Sequence, residues 1–310
     1  MALLGCLVAG TTALRQEPYD VPAWSMFKDD LLKDKVIFVT GGGSGLGLSM
    51  TRRFLELGAS VVIASRRLEL LEQSAATLRQ ETGAEVLPLR LDVRDPEAVS
   101  SALDASFEHF GRVDALVNNA AGNFISPTER LSHRAFDAVL GIVLHGSVYL
   151  TLELGKRWID SGRPGSVLSI AATYAESGSG YVTPSAVAKA GVVALTRSLA
   201  AEWGKYGVRL NAIAPGPFPT EGAWSRLMPT RELQELFLAK VPLGRVGEHR
   251  ELADLASFML SDGAAYLTGD LIYLDGGESV FNAGEFNALD AVTSEQWDEL
   301  EAARKAAAKR

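Results

Sequence analysis

The run Thr40-Gly41-Gly42-Gly43-Ser44-Gly45-Leu46-Gly47 stands between two segments of different hydrophobic period. Before it, residues 36–39 read Val-Ile-Phe-Val, a short apolar run of the kind a fully buried strand needs. After it, residues 48–57 follow a helical pattern, and Gly58 stands where a left-handed cap would end that helix. A glycine-rich turn from a buried strand into a helix is the opening unit of a doubly wound sheet. Gly41 permits the tight turn, while Gly45 and Gly47 let the helix and a pyrophosphate come close to backbone. The spacing is TGxxxGxG rather than GxGxxG, so a glycine-rich turn without a ligand is the competing reading.

Working outward, the alternation continues. Further strands are expected over 60–64, 86–91, 115–117, 167–170, 209–214 and 271–274. Helices are expected over 68–80, 96–110, 132–159, 184–205 and 251–260. Pro96 sits in a first turn, where its missing N–H costs nothing, and Ser132 is placed to cap the long central helix. No break in composition interrupts this pattern. It predicts an α/β fold, a single Rossmann-type domain over 34–277 with a doubly wound parallel sheet of about seven strands and helices on both faces. Residues 1–33 read as an arm before it. Residues 215–240, rich in proline and glycine at their start, read as a flap over a site. The tail, 278–310, has a capping box at Thr293 and Gln296, opening a helix with Trp297 and Leu300 on one side. That apolar side is expected to dock on the body or on a neighbouring subunit.

Composition bounds the function. The 310 residues, 47% hydrophobic and 22% charged, match an ordinary globular protein. A net charge of −8 argues against a nucleic-acid or membrane-surface binder, while leaving room for a small basic pocket. One cysteine, Cys6, excludes an internal disulfide framework and fits a reducing compartment. With only 4 histidines besides, no metal site is expected. Residues 1–10 are apolar but lack a basic start, and no stretch reaches the length of a membrane span, so no stable membrane insertion is expected. The start also lacks the arginine-rich character of an import segment. The cytoplasm is the expected location, a mitochondrion the alternative.

Chemistry-bearing residues gather in three places. Residues 173–189 read TYAESGSGYVTPSAVAK after a buried strand. The Tyr174 phenol can donate a proton or hydrogen-bond an oxyanion, and Lys189 can lower a neighbouring pKa or hold a cofactor sugar. At the end of the second strand, Ser65-Arg66-Arg67 has no acid until Glu69. An NAD site usually places an acid there, whereas two guanidiniums suit the 2′-phosphate of NADP. Solvated surface arginines are the alternative. Asp92 and Val93 follow the third strand, where an adenine would lie; a helix cap is the other reading of Asp92.

These pieces, with Asn118-Asn119-Ala120-Ala121-Gly122, Lys189 and Pro215-Gly216, resemble the short-chain dehydrogenase/reductase family from about residue 34 to 277. The usual catalytic pattern of that family is broken. Ser185 stands where the tyrosine four residues before Lys189 belongs, Ala172 replaces the serine, and Val143 the asparagine of the central helix. Either the chain is inactive or the tyrosine has moved, with Tyr174 the candidate.

Within the family, NNAAGNFISPTER (118–130), YAESGSG (174–180), AAEWGKY (200–206), GAWSR (222–226), GEFN (284–287) and EQWD (295–298) resemble mitochondrial-type 2,4-dienoyl-CoA reductases. That resemblance implies NADPH-dependent reduction of a 2,4-dienoyl-CoA to a 3-enoyl-CoA, with Tyr174 and Asn123 stabilising the dienolate oxygen and Lys189 and Ser185 fixing the site. It implies cofactor contacts from Gly41 to Gly47, Arg66, Arg67, Asp92, Val93, Asn119, Lys189 and the run Pro215-Gly216-Pro217-Phe218. It implies substrate contacts from Arg66, Arg94, Phe124, Ser132 and Arg226. Without the resemblance, Arg94 and Arg226 read as surface charges, Phe124 as core and Ser132 as a helix cap. The helices over 132–159 and 184–205 would then build a homotetramer. His145, Ala172 and Thr173 depart from the expected subfamily pattern and alter packing behind the site. The alternatives are a reductase of another enoyl or carbonyl compound, and a non-catalytic nucleotide-binding protein.

Overall fold

The computed structural model describes residues 27–220 and 230–308; Arg226 and the arm before residue 27 lie outside them. Seven strands form one parallel sheet in the order β3-β2-β1-β4-β5-β6-β7. They are β1 Val36–Thr40, β2 Ser60–Ser65, β3 Val86–Arg90, β4 Ala115–Asn118, β5 Gly165–Ile170, β6 Val208–Pro215 and β7 Leu271–Leu274. Helices α1 Gly45–Glu56, α2 Leu68–Thr82, α3 Pro96–Phe110, α4 His133–Leu140, α5 Gly146–Ser161 and α6 Thr183–Trp203 connect the first six strands. After β6 come α7 Arg231–Leu238 and α8 His249–Leu260, and after β7 α9 Glu278–Ala283 and α10 Ser294–Ala307.

The continuous apolar runs follow from burial on both faces. In β1, Ile37 and Val39 join a core with Met50 and Phe54 of α1, Leu71 of α2 and Met259 of α8. Val36 and Phe38 point the other way, to Leu103 of α3, Trp158 of α5 and Trp203 of α6. Successive side chains leave a strand on opposite faces, so one apolar segment serves two helical layers. Pro88, which cannot donate to a ladder, sits in edge strand β3. The order reverses between β1 and β4, which opens a crevice at the carboxyl ends of these strands.

Three expectations need correction. The helix expected over 132–159 is broken by a π-helical turn, Gly141–His145, between α4 and α5. Just after it, Gly146 packs so closely on Val93 that a β-carbon there would lie 2.7 Å from that side chain. The same stretch, His133–Ser161, is also long and apolar enough to cross a membrane, contrary to the expectation that none is. Its apolar residues have partners within the fold: Val139 and Val143 pack on Ala188 and Val192 of α6, and Leu150, Leu154 and Trp158 are buried in the second core. In the tail, the capping box forms as expected, Gln296 N–H donating to Thr293 Oγ1 at 3.3 Å and Thr293 N–H to Gln296 Oε1 at 2.9 Å. Of the two covers expected for its apolar side, the body of its own chain leaves Trp297 and Leu300 47% and 54% exposed. At the other end the packed body reaches back before residue 34. Leu32 is fully buried in the first core, and its N–H donates to the Leu57 carbonyl at 2.8 Å.

Candidate active site

An open cleft of about 1330 Å³ runs along the carboxyl ends of the strands, from Arg66 and Arg67 at one end to Tyr174, Ser185 and Lys189. Thr40, the last residue of β1, fixes its floor. The Thr40 hydroxyl donates to the Val117 carbonyl at 3.2 Å and accepts the N–H groups of Asn119 and Ala120, both at 2.9 Å. The Asn119 amide donates in turn to the Thr40 carbonyl at 2.8 Å. These bonds join the glycine-rich loop to the end of β4. Gly41 has φ +67°, and a β-carbon on Gly47 would lie 2.3 Å from the Gly41 carbonyl oxygen, so both positions need glycine. No side chain caps α1, and its first turn has no acid. Its free N–H groups and positive dipole end therefore face the cleft beside Ser44 and Gly45, which suits a pyrophosphate.

Arg66 and Arg67 are exposed and line the same cleft. Among the described residues neither guanidinium has a hydrogen-bond or ion-pair partner. Asp92 and Val93 line it too, Val93 mostly buried against Gly146. Asp92 is not the cap of α3; Asp95 is, accepting the N–H groups of Glu97 and Ala98 at 3.0 and 3.2 Å. Asp92 instead holds Arg94 through Nε at 2.9 Å and Nη2 at 2.5 Å. That hydrogen bond keeps the Asp92 carboxyl well below its ordinary value, at about 2.

At the other end, Tyr174, Asn123 and Ser185 meet, and Lys189 lines the same cleft. Tyr174 sits in a 3₁₀ turn, Thr173–Ala175, just after β5; Asn123 follows β4; Ser185 and Lys189 lie one turn apart on α6. The Tyr174 hydroxyl is 3.1 Å from Ser185 Oγ, and Asn123 Nδ2 donates to it at 3.5 Å. Asn123 Oδ1 accepts the Phe124 N–H at 2.9 Å, which turns the amide N–H groups toward the phenol. Burial pushes the Tyr174 phenol above its ordinary value, against the opposing pull of Ser185. The phenol therefore stays protonated and can donate. Lys189 is 7% exposed and donates to the Ile170 carbonyl; burial lowers its pKa to about 8. Val143, also in the cleft wall, is buried and offers no polar group.

Pro215, Gly216, Pro217 and Phe218 leave the end of β6 along the cleft, with the Gly216 N–H donating to the Leu274 carbonyl at 2.9 Å. The residues expected to hold substrate are more scattered. Arg66 is in the cleft. Arg94 is turned onto Asp92, Phe124 packs among Val139, Val143, Ala188 and Val192, and Ser132 caps α4 by accepting the Ala135 N–H at 3.2 Å. Arg226 is outside the described residues.

Two groups escaped the sequence reading. Glu176, two residues after Tyr174, accepts the Tyr273 hydroxyl at 2.6 Å and Arg197 Nη2 at 2.7 Å, tying the 3₁₀ turn to β7 and α6. Glu278, 7% exposed, lines the cleft from α9, and burial followed by the nearby Asp275 raises its carboxyl pKa. Its only signal in the sequence is the Asp275-Gly276-Gly277 turn after β7.

The family described as enoyl-(acyl carrier protein) reductase matches residues 41–279. A Caenorhabditis elegans protein named probable 2,4-dienoyl-CoA reductase 3, (3E)-enoyl-CoA-producing, is 46% identical over 89% of this chain and 91% of its own. A Bacillus subtilis protein named probable 2,4-dienoyl-CoA reductase, (2E)-enoyl-CoA-producing, is 43% identical over 80% of this chain and 97% of its own. The crystal structure of a short chain dehydrogenase from Bacillus anthracis superposes with a TM-score of 0.73 at 42% identity, covering 80% of this chain and 97% of that one.

Proposed function

Because the chain belongs to the short-chain dehydrogenase/reductase family and is an oxidoreductase with a nicotinamide dinucleotide site, we propose that it reduces 2,4-dienoyl-CoA thioesters with NADPH, giving 3-enoyl-CoA. The observation that carries this reading is the meeting of Tyr174, Asn123 and Ser185 in the cleft that Lys189 also lines, with serine where the family's tyrosine belongs. A tyrosine on α6 would serve a ketone oxygen beside the carbon that accepts hydride. Reducing a conjugated alkene needs a stabiliser at a distant oxygen, and a phenol brought in from the preceding turn supplies one.

Bound NADPH supplies a hydride to the δ-carbon of the dienoyl group. The Tyr174 phenol and the Asn123 amide donate hydrogen bonds to the thioester oxygen as negative charge gathers there. Ser185 orients the phenol. Lys189 holds the nicotinamide ribose, its Nζ kept in place by the Ile170 carbonyl. A proton added at the α-carbon leaves the 3-enoyl product. Arg66 and Arg67, exposed at the end of the cleft, favour a 2′-phosphate and hence NADPH over NADH. On the same reading the CoA phosphates draw on Arg66, Arg94 and Arg226, with Phe124 and Ser132 beside the substrate. The active species is a homotetramer in the cytoplasm.

The test is loss of NADPH absorbance with 2,4-hexadienoyl-CoA beside an acetoacetyl-CoA control, with the product's double bond placed by NMR. Turnover of the dienoyl thioester to a 3-enoyl product supports the proposal. Turnover of the ketone alone defeats it, and a 2-enoyl product defeats the assignment of the proton to the α-carbon.

A further inference from the structure

We infer that His249 is a positioning residue of the dinucleotide site, a clamp that ties the glycine-rich loop to the segment leaving β6. His249 opens α8, remote in sequence from both. Its Nε2 lies 2.6 Å from the Pro219 carbonyl oxygen and its Nδ1 lies 2.8 Å from Ser49 Oγ on α1. Ser49 Oγ also lies 3.2 Å from the Gly45 carbonyl, the first residue of that helix. A carbonyl oxygen only accepts, so Nε2 carries a hydrogen. In the neutral ring Nδ1 is then the acceptor and takes the Ser49 hydroxyl hydrogen, leaving the longer contact to Gly45 secondary. If the ring gains a proton, Nδ1 donates to Ser49 Oγ and the hydroxyl turns to the Gly45 carbonyl. Every group in the chain Pro219–His249–Ser49–Gly45 is satisfied in either state.

What the clamp holds is the width of the pocket. Gly45 and Ser44 line one wall of the cleft; Pro217, Phe218 and Thr220 line the facing wall. The walls nearly touch, since a β-carbon on Gly45 would lie 3.4 Å from the Thr220 methyl group. A second tie runs parallel to the first: Gly247 N–H donates to the Pro217 carbonyl at 2.9 Å, two residues before His249. The N–H groups at the start of α1 and the segment after β6 thus share one anchor that is itself not part of the cleft lining. Holding both in place before binding spares the cofactor the cost of ordering them.

The inference rests on the dinucleotide reading of the cleft and not on the identity of the acyl substrate. Its test is nucleotide binding to the full chain, read by quenching of protein fluorescence with NADPH and, separately, NADH. His249→Phe keeps the ring and removes both bonds; it should raise the Kd of the preferred nucleotide about 10-fold, the scale of losing two hydrogen bonds. The loss should appear in cofactor Kd and KM, with kcat at saturating cofactor falling far less. His249→Gln, whose amide can donate to Pro219, should recover most of the affinity. Unchanged Kd in His249→Phe, or equal weakening in both variants, would overturn the clamp. Should His249→Phe fail to fold, Ser49→Ala decides: about threefold weaker binding is expected, and none would refute it. The binding titrations contain no acyl substrate, so a wrong substrate class leaves their result intact. A wild-type chain that binds neither nucleotide overturns both readings.

Discussion

Replacing Tyr174 with phenylalanine separates the proposed chemistry from everything else the site does. The change removes one oxygen, with contacts of 3.1 Å to Ser185 and 3.5 Å to Asn123, and keeps the ring that packs after β5. If the phenol donates to the developing oxyanion, turnover should fall by ~100-fold or more, the usual loss for one such donor. The cost to folding is smaller. Ser185, 2% exposed, loses a partner, worth about 1 kcal/mol. The assay is NADPH oxidation with 2,4-hexadienoyl-CoA at saturating cofactor, together with the NADPH Kd of the same preparation. The expected pattern is a collapse of kcat with little change in Kd. Near-native turnover would remove Tyr174 from the chemistry. A parallel loss of NADPH binding would place the phenol in the cofactor site instead.

Arg66→Asp should weaken NADPH ~10- to 100-fold more than NADH, the range for losing a charged hydrogen bond; equal effects measured by fluorescence titration would contradict a 2′-phosphate contact. Glu176→Gln loosens the tie from the 3₁₀ turn to Tyr273 and Arg197, and should lower kcat by roughly 3- to 10-fold while the NADPH Kd stays put; a change in Kd alone would refute that role. Burial lowers the Lys189 pKa from 10.5 to about 8, so the native state is penalised in full below pH 8 and the penalty lifts as pH rises to 10.5. Between those limits the ligand-free wild type should gain ~3 kcal/mol relative to Lys189→Met in urea unfolding, and parallel pH profiles would refute the assignment. Gly47→Ala drives a β-carbon to 2.3 Å from the Gly41 carbonyl, so it should abolish nucleotide binding or folding; a soluble variant with native affinity would contradict the loop geometry.

The sheet was legible because parallel strands buried on both faces leave unbroken apolar runs, and glycines close the helices between them. Residues such as Ile37 and Phe38 carry that message without help from their neighbours in space. The π turn did not announce itself, because the stretch 132–159 is apolar on more than one side and its period tolerates one residue more. The cover of Trp297 and Leu300 was legible only as a choice between two. An apolar stripe says that something covers a helix, and sequence alone does not say whether the cover belongs to the same chain. Local pairing was not legible either: Arg94 stands two residues from Asp92, and its guanidinium lies on that carboxylate, a contact that spacing in a loop does not announce.

The active centre was legible only in part, and the reason lies in the backbone between Tyr174 and Ser185. Nothing in an eleven-residue spacing brings a phenol onto a helix that starts later; spacing rules work within one element. The chain manages it by reversing direction. Gly178 takes φ +73° and Tyr181 takes φ +64°, a left-handed turn that a tyrosine adopts only when its surroundings impose it. The Ser126 N–H donates to the Tyr181 carbonyl at 2.9 Å, so the loop after β4, which also carries Asn123, helps impose it. The two donors proposed for the thioester oxygen are therefore not independent additions to a cofactor-binding frame. They are set against each other by a backbone contact between their loops, and the strain at Tyr181 belongs to the same arrangement as the Tyr174–Asn123 contact.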